Sequence, residues 1–290
     1  MTESDVPKLD RWATWLTQGR DAGLSEAQRR ATAGSLAHLA ERVVDGADMS
    51  SGDRVLDVGA GTGLLSVPAA TRVGPTGVAI ALDLSGDALD ECRRTVSDAP
   101  LAAVVGDALS LPFAEGAFAA ALTRSVLIYV RDKAGALEEL HRVLAPRGRL
   151  SAWEPINRAR EDYGVEELAD PSMLGADFER VRAHQYARWE ARDAMVGFDE
   201  RDLVRWCLAA GFEQVSLRYD LDYSCEPVAA EVLDNRLRGR PNPSMPSLHE
   251  AAVAVLGDGA YEFLERYRQV LMSQPSKMLR AVGHLTAKRA

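Results

Sequence analysis

Three glycines at alternate positions, Gly59, Gly61 and Gly63, follow directly behind an apolar run that carries Asp57, in the stretch RVLDVGAGTGLLS. Without Cβ atoms such a loop turns tightly and lets a ligand lie against the backbone, while the helical period that begins near Leu64 presents unpaired N–H groups to it. A dinucleotide fingerprint would need its third glycine at position 64, where Leu64 stands, so the spacing argues against NAD or FAD. Asp83 closes the next apolar run, AIALD, where a carboxylate can accept both hydroxyls of a ribose. Ser85 is available to cap the helix that follows, which leaves Asp83 free for a ligand. The third run ends in VVGDALSLPF and sets Asp107 and Ala108 beside the same crevice, where a carboxylate accepts from the exocyclic amine of a purine. Glycine loop, ribose acid and amine acceptor together outline an adenosine.

The elements that must position these groups are legible as alternating apolar runs and helical periods, the signature of β-α units around a parallel sheet. The runs predict strands at Val55–Val58, Val78–Asp83, Ala102–Val105, Phe118–Thr123 and Arg149–Trp153, with helices at Leu64–Val73, Asp87–Ser97 and Ala134–Leu144. Ahead of them the chain reads as helical: Trp12, Trp15 and Leu16 share one face, and Leu36, Leu39, Val43 and Val44 another. Behind Pro155 the rhythm changes to charged, helical segments, and a sheet-packing helix is expected at Glu200–Ala210, then a strand at Phe212–Tyr223. Two helical stretches, Pro227–Leu237 and Gly259–Met272, flank the connector GRPNPSMPS, and LRAVGHLTAKR alternates as a closing strand. The expected organisation is an N-terminal helical lid over 1–50, an α/β core over 51–155 resumed at 199–226, a helical cap from 156–198 and 227–277, and a last strand at 278–290.

Composition narrows the partners. The 290 residues are 47% hydrophobic and 27% charged, ordinary for a globular chain, and the net charge of -9 repels polyanions. A small-molecule substrate is expected, with no nucleic acid, no membrane, and a monomer or homodimer. No run approaches the roughly 20 apolar residues of a membrane span, and the polar start MTESDVPKLDRW lacks the pattern of a signal peptide, so a cytoplasmic location is expected. Cys92, Cys207 and Cys225 are too far apart for a zinc site or a disulfide framework, and no metal is expected.

The chain resembles the class I S-adenosylmethionine-dependent methyltransferases, of the small-molecule type related to ubiquinone and menaquinone biosynthesis. DVGAGTG (57–63), ALDLS (81–85), GDALSLPF (106–113) and HRVLAPRGRL (141–150) carry the resemblance, which spans roughly residues 45–155. It implies a Rossmann-like sheet of seven mostly parallel strands with the last one antiparallel, and S-adenosyl-L-methionine as cofactor. It also implies that Asp57, Gly59, Ala60, Gly61 and Gly63 hold the methionine end, Asp83 and Leu84 the ribose side, and Gly106, Asp107 and Ala108 the adenine. Thr123, Arg124 and Ser125 would line the crevice beside the sulfonium. Arg147 stands where the family commonly has glycine.

Methyl transfer from positive sulfur is an in-line displacement that mainly needs the nucleophile held at attack distance, so the sequence need not advertise a base. Glu154 and Tyr129 are the catalytic candidates, and Asn157, Trp12 and Trp15 the substrate-facing ones. Arg11 or Arg20 could meet the cofactor carboxylate. TRSVLIY after the fourth strand lacks the Pro-Pro-aromatic signature of nucleic-acid amino-methylating enzymes and the acids of metal-dependent catechol enzymes. Cysteines placed on sheet-packing elements speak against a metalloid substrate. The alternatives carried forward are a non-methylating enzyme that keeps the cofactor, such as a cyclase or hydrolase-like relative, and a regulatory binding protein.

Overall fold

Five apolar runs form the parallel part of one sheet in the computed structural model, which describes residues 9–96, 99–165, 168 and 171–290. Strands β1 (Arg54–Val58), β2 (Val78–Asp83), β3 (Leu101–Val105), β4 (Phe118–Arg124) and β5 (Leu144–Pro155) pair in parallel. Strand β7 (Ser276–Arg289) runs antiparallel between β5 and β6 (Phe212–Glu226), giving the order β3-β2-β1-β4-β5-β7-β6. This is the seven-stranded architecture that the resemblance implies. The strand order turns around at β1 and β4, and the crevice beyond their carboxyl ends is where open α/β sheets bind ligands.

Both faces of the central strands are covered, which is why they read as unbroken apolar runs. Helices α2 (Glu26–Gly46) and α3 (Ser66–Val73) bury Val43, Val44, Ala70 and Val73 against Val55, Ala79 and Leu122. On the other face, α5 (Lys133–Val143) and α9 (Glu200–Ala209) bury Leu137, Leu140 and Cys207 against Leu56, Phe118 and Leu150. Helix α4 (Gly86–Arg94) packs Leu89 and Cys92 on Ala81. The expected helix end at Ser97 lies outside the described residues.

Several boundaries move. Strand β5 begins five residues before Arg149, with a register irregularity opposite Phe118 and Ala120, and Arg147 takes a φ of 68° in the conformation glycine would adopt freely. The stretch expected to be helical from Pro227 contracts to one 3-10 turn and α10 (Leu233–Arg238). Behind the proline-rich connector comes a helix the periodicity did not reveal, α11 (Leu248–Leu256), started by a capping box between Ser247 and Glu250. Between β5 and α9 lie α6 (Arg158–Asp162), α7 (Gly175–Tyr186) and α8 (Arg192–Val196). Helices α7, α10, α11 and α12 (Ala260–Ser273) share a core of their own, built from Val181, Leu233, Leu248, Phe263 and Leu271. The amino-terminal segment forms a short α1 (Arg11–Thr14) continued by a π-helical turn over Trp15–Gly19.

Candidate active site at the carboxyl ends of β1 and β4

The loop after β1 is built from left-handed glycines: φ is 70° at Gly59, 54° at Gly61 and 94° at Gly63. A Cβ on Gly59 would stand 2.1 Å from Val126 Cγ2, and one on Gly63 2.6 Å from Cys92 Sγ. Asp83 ties this loop to β2, since its Oδ2 accepts from the Gly61 amide at 2.8 Å and its Oδ1 from the Ser85 amide at 2.8 Å. Burial raises its carboxyl above the usual range against those amides. Asp57, 2% exposed, accepts the Ser66 hydroxyl at 2.5 Å. Burial, with a further contribution from the charge on Asp83, pushes its carboxyl up to about 7.

A cavity of about 950 Å³ opens over this loop. Its wall takes Asp57, Gly59, Ala60, Gly61 and Gly63 from the first turn, Asp83 and Leu84 from the second, and Gly106, Asp107 and Ala108 from the third. Leu84 is 64% exposed, so a flat ring laid beside Asp107 gains apolar contact. From the end of β4 come Arg124, Ser125 and Tyr129. Ser125 holds a φ of 54°, an unusual backbone for a residue other than glycine and one that collects at functional turns. Arg124 lies over Trp153 at 5.3 Å, and its Nε is enclosed without a hydrogen-bond partner among the described residues. Burial first, and then the charge of Arg20, draw its guanidinium down to about 10, so it stays cationic at neutral pH. Burial lifts the Tyr129 phenol above its usual range, which makes it a hydrogen-bond donor and a poor base.

The amino-terminal segment crosses this cavity. Asp10 caps α1 by accepting from the Trp12 and Ala13 amides, each at 2.9 Å, and also takes the Ser85 hydroxyl at 2.6 Å. Trp12 meets Tyr129 edge-on at 4.8 Å, and the Trp15 indole donates to the Arg240 carbonyl at 2.9 Å. The Asn235 amide donates to the Arg20 and Ala22 carbonyls at 3.2 and 3.0 Å. Trp12, Trp15 and Asn157 all line the cavity. A second cavity of about 1080 Å³ lies among the helices that follow β5 and β6, and shares Arg20, Asn157, Met195 and Pro241 with the first.

Two expected site residues face elsewhere. Glu154 does not line either cavity; it is 1% exposed and accepts from the amides of Val126, Leu127 and Ile128 at 3.0, 3.2 and 3.2 Å. It therefore holds the turn after β4 in shape. Thr123 is 1% exposed and paired in register with Val58, so its hydroxyl is enclosed in the sheet and off the cavity wall. Met195, on α8, and Pro241, in the connector between α10 and α11, are not marked in the sequence because each reaches the site only through packing of a segment distant along the chain.

Glu154, like Asp57, is raised by burial to about 7. An acid whose pKa is higher in the folded chain than the roughly 4 of an unfolded one stabilises the fold below that lower value, and loses the contribution as pH rises through the upper one. Unfolding free energy of the ligand-free protein should thus fall between pH 5 and 7, by up to about 1.4 kcal/mol per pH unit for each group. Urea titrations across that range should show a flatter profile for Asp57→Asn and for Glu154→Gln; an unchanged slope in both would contradict the burial argument.

Residues 56–152 match a family model described as a methyltransferase domain. The ubiquinone/menaquinone biosynthesis C-methyltransferase UbiE of Chromobacterium violaceum is 32% identical over 173 residues, 57% of this chain and 69% of that protein. The aklanonic acid methyltransferase DauC of Streptomyces sp. strain C5 is 30% identical over 185 residues, 61% and 82% of the two. The chain belongs to the S-adenosylmethionine-dependent methyltransferases. A Streptomyces fradiae protein of transposon Tn4556 is 32% identical over 171 residues, and the chain spans 46% of its length. A Bacillus halodurans C-125 protein classed with the methyltransferases has the same fold, with a TM-score of 0.53 at 16% identity over 86% of this chain and 98% of that one.

As a member of this family the chain takes its methyl group from S-adenosylmethionine. Its own residues fit that donor. The glycine loop has no room for side chains, Asp83 and Asp107 are acceptors at the ends of successive strands, and Arg124, whose enclosed Nε has no hydrogen-bond partner among the described residues, stands on the cavity wall. No described helix is long and apolar enough to cross a membrane.

Proposed function

We propose that the donor occupies the cavity over the glycine loop and that the acceptor molecule enters from the adjoining cavity among the helices. The observation that carries this reading is the shared wall, since Arg20, Asn157, Met195 and Pro241 border both spaces. In it, Asp57 and the loop amides serve the amino-acid end of the donor, Arg124 and Arg20 its carboxylate, Asp83 its ribose, and Leu84, Asp107 and Ala108 its adenine. S-adenosylmethionine, when bound, supplies a methyl carbon already activated by positive sulfur.

What remains for the chain is positioning and exclusion of water. Glu154 fixes the backbone of Val126 to Ile128 and so sets the Tyr129 ring beside Trp12. Tyr129 can donate a hydrogen bond to an acceptor oxygen or nitrogen. Residues 9–24 act as the lid over the donor, and residues 156–198 with 227–277 as the cap that selects the substrate. The net charge of -9 supports a non-nucleic-acid substrate, and the absence of paired cysteines supports a cytoplasmic setting, as a monomer or homodimer.

Asp83→Ala tests the donor assignment. Loss of charge-assisted hydrogen bonds should weaken S-adenosylhomocysteine by about 1–3 kcal/mol. Calorimetry on the folded variant reads this directly, and unchanged affinity would remove Asp83 from the donor site.

A further inference from the structure

The cavity among the helices combines flat rings with two arginines that have no carboxylate partner among the described residues. Arg182, on α7, stands over Tyr186 at 4.5 Å and Phe178 at 5.8 Å. It donates to the Gln185 side chain at 3.3 Å and to the Tyr186 hydroxyl, and has no carboxylate partner among the described residues. Arg160, on α6, is half-buried on the same wall and makes no side-chain hydrogen bond or ion pair among the described residues. Its amide donates to the Asn157 carbonyl at 3.1 Å, which sets it one turn from the boundary with the donor cavity. Neighbouring arginines on this wall are satisfied: Arg192 pairs with Glu161 at 2.6 Å, and Arg240 with Glu250 at 2.5 Å.

Two cations without a carboxylate partner among the described residues, in a chain of net charge -9, are a local exception to its overall field. A half-buried charge pays for its lost hydration unless a partner is supplied, and a guanidinium fork matches a carboxylate or phosphate with two parallel hydrogen bonds. The rings of Phe178, Tyr186 and Trp189 offer flat apolar surface; the Trp189 indole is oriented by donation to Met195 Sδ at 3.0 Å. At about 1080 Å³ the space stands at the upper end of small-molecule sites.

We propose that the acceptor is a bulky, flat aromatic acid, drawn into this cavity by the positive wall of Arg160 and Arg182 and stacked on its aromatic side chains. The proposal rests on the assignment of the two cavities to donor and acceptor. It concerns recognition of the anion and leaves open which atom of the molecule is methylated.

Binding of 2-naphthoate, 2-naphthyl phosphate and uncharged 2-naphthamide, followed by calorimetry with the full chain in the presence and absence of S-adenosylhomocysteine, tests it. At least one of the two anions should bind tenfold or more tighter than the amide, and raising NaCl from 50 to 500 mM should erode that preference; which anion binds tighter distinguishes a carboxylate from a phosphate ligand. Arg160→Met and Arg182→Met should each weaken the preferred anion at least fivefold while leaving the amide within twofold, whereas Arg158→Met, outside the cavity, should change neither. Equal affinity for acid and amide, an equal loss of both in the variants, or no binding of any probe at 5 mM overturns the proposal. S-adenosylhomocysteine bound by the same samples reports on the donor site separately: its failure to bind would count against that assignment, and the preference for acid over amide would still be read in the ligand-free protein.

Discussion

Replacing Gly59 by alanine is expected to weaken S-adenosylhomocysteine binding by about 30-fold or more. The added Cβ would stand 2.1 Å from Val126 Cγ2, on a backbone with φ of 70°. A left-handed conformation costs a residue with a side chain about 1–2 kcal/mol, and forcing a carbon into a filled space about 1–3 kcal/mol more. Val126 cannot yield easily, because its amide is held by Glu154 at 3.0 Å and that carboxylate also anchors the next two residues. The glycine loop must move instead, and with it the Gly61 amide that Asp83 holds at 2.8 Å. Calorimetry should show the loss, with circular dichroism confirming the fold. Adding Val126→Ala should restore part of the affinity. A folded Gly59→Ala protein with wild-type affinity would mean that the close approach at this turn serves no ligand.

Deleting residues 1–24 should leave a folded protein whose turnover is at least 100-fold lower and whose S-adenosylhomocysteine affinity is at least 10-fold lower. Among the described residues, the main cores over and under the sheet contain none from this segment, so the sheet is built without residues 9–24. The site does: Trp12 meets Tyr129 at 4.8 Å, Leu16 Cδ1 approaches the Cβ position of Gly61 to 3.0 Å, and Trp15 bonds the cap at Arg240. Removing them should open the cavity over the glycine loop to water and separate it from the helices behind. Limited trypsin digestion supplies a second reading, since cleavage after Arg11 and Arg20 should slow when S-adenosylhomocysteine is present. A truncated protein with full activity, cut at the same rate with and without the ligand before truncation, would reduce the tryptophans to packing.

The sheet was readable because parallel strands buried on both faces must be continuously apolar; Val78–Asp83, for which the expected and observed bounds coincide, is the clearest case. The glycine loop was readable for a related reason. Backbone that must be bare or left-handed forces glycine, and Gly59, Gly61 and Gly63 report that need without any knowledge of the fold. Helix α11 stayed hidden because prolines on its amino-terminal side read as a connector, while its start depends on the local bond between Ser247 and Glu250.

Side-chain direction was harder. Thr123 still has Val58 as its neighbour across the sheet and is sealed there, whereas Arg124, one residue further on, has passed the end of β1 and reaches the cavity. Glu154 is polar and sits beside the crevice, yet the amides of residues 126–128 claim it, a demand created by the turn after β4 and not by its own neighbours in sequence. The boundary between the two cavities was out of reach, because Arg20, Asn157, Met195 and Pro241 come from four separate segments that only tertiary packing assembles.

Hydrogen exchange of the full chain, read by mass spectrometry with and without S-adenosylhomocysteine, tests the central assignment most directly. The ends of β1, β2, β3 and β4 and the amino-terminal segment border one cavity, so the ligand should slow exchange together at the glycine loop (57–65), at the ends of β2 and β3 (83–86 and 105–109), and across residues 9–20. Protection confined to the helices around α7 and α11, or protection of the lid without the glycine loop, would place the donor elsewhere and contradict this account.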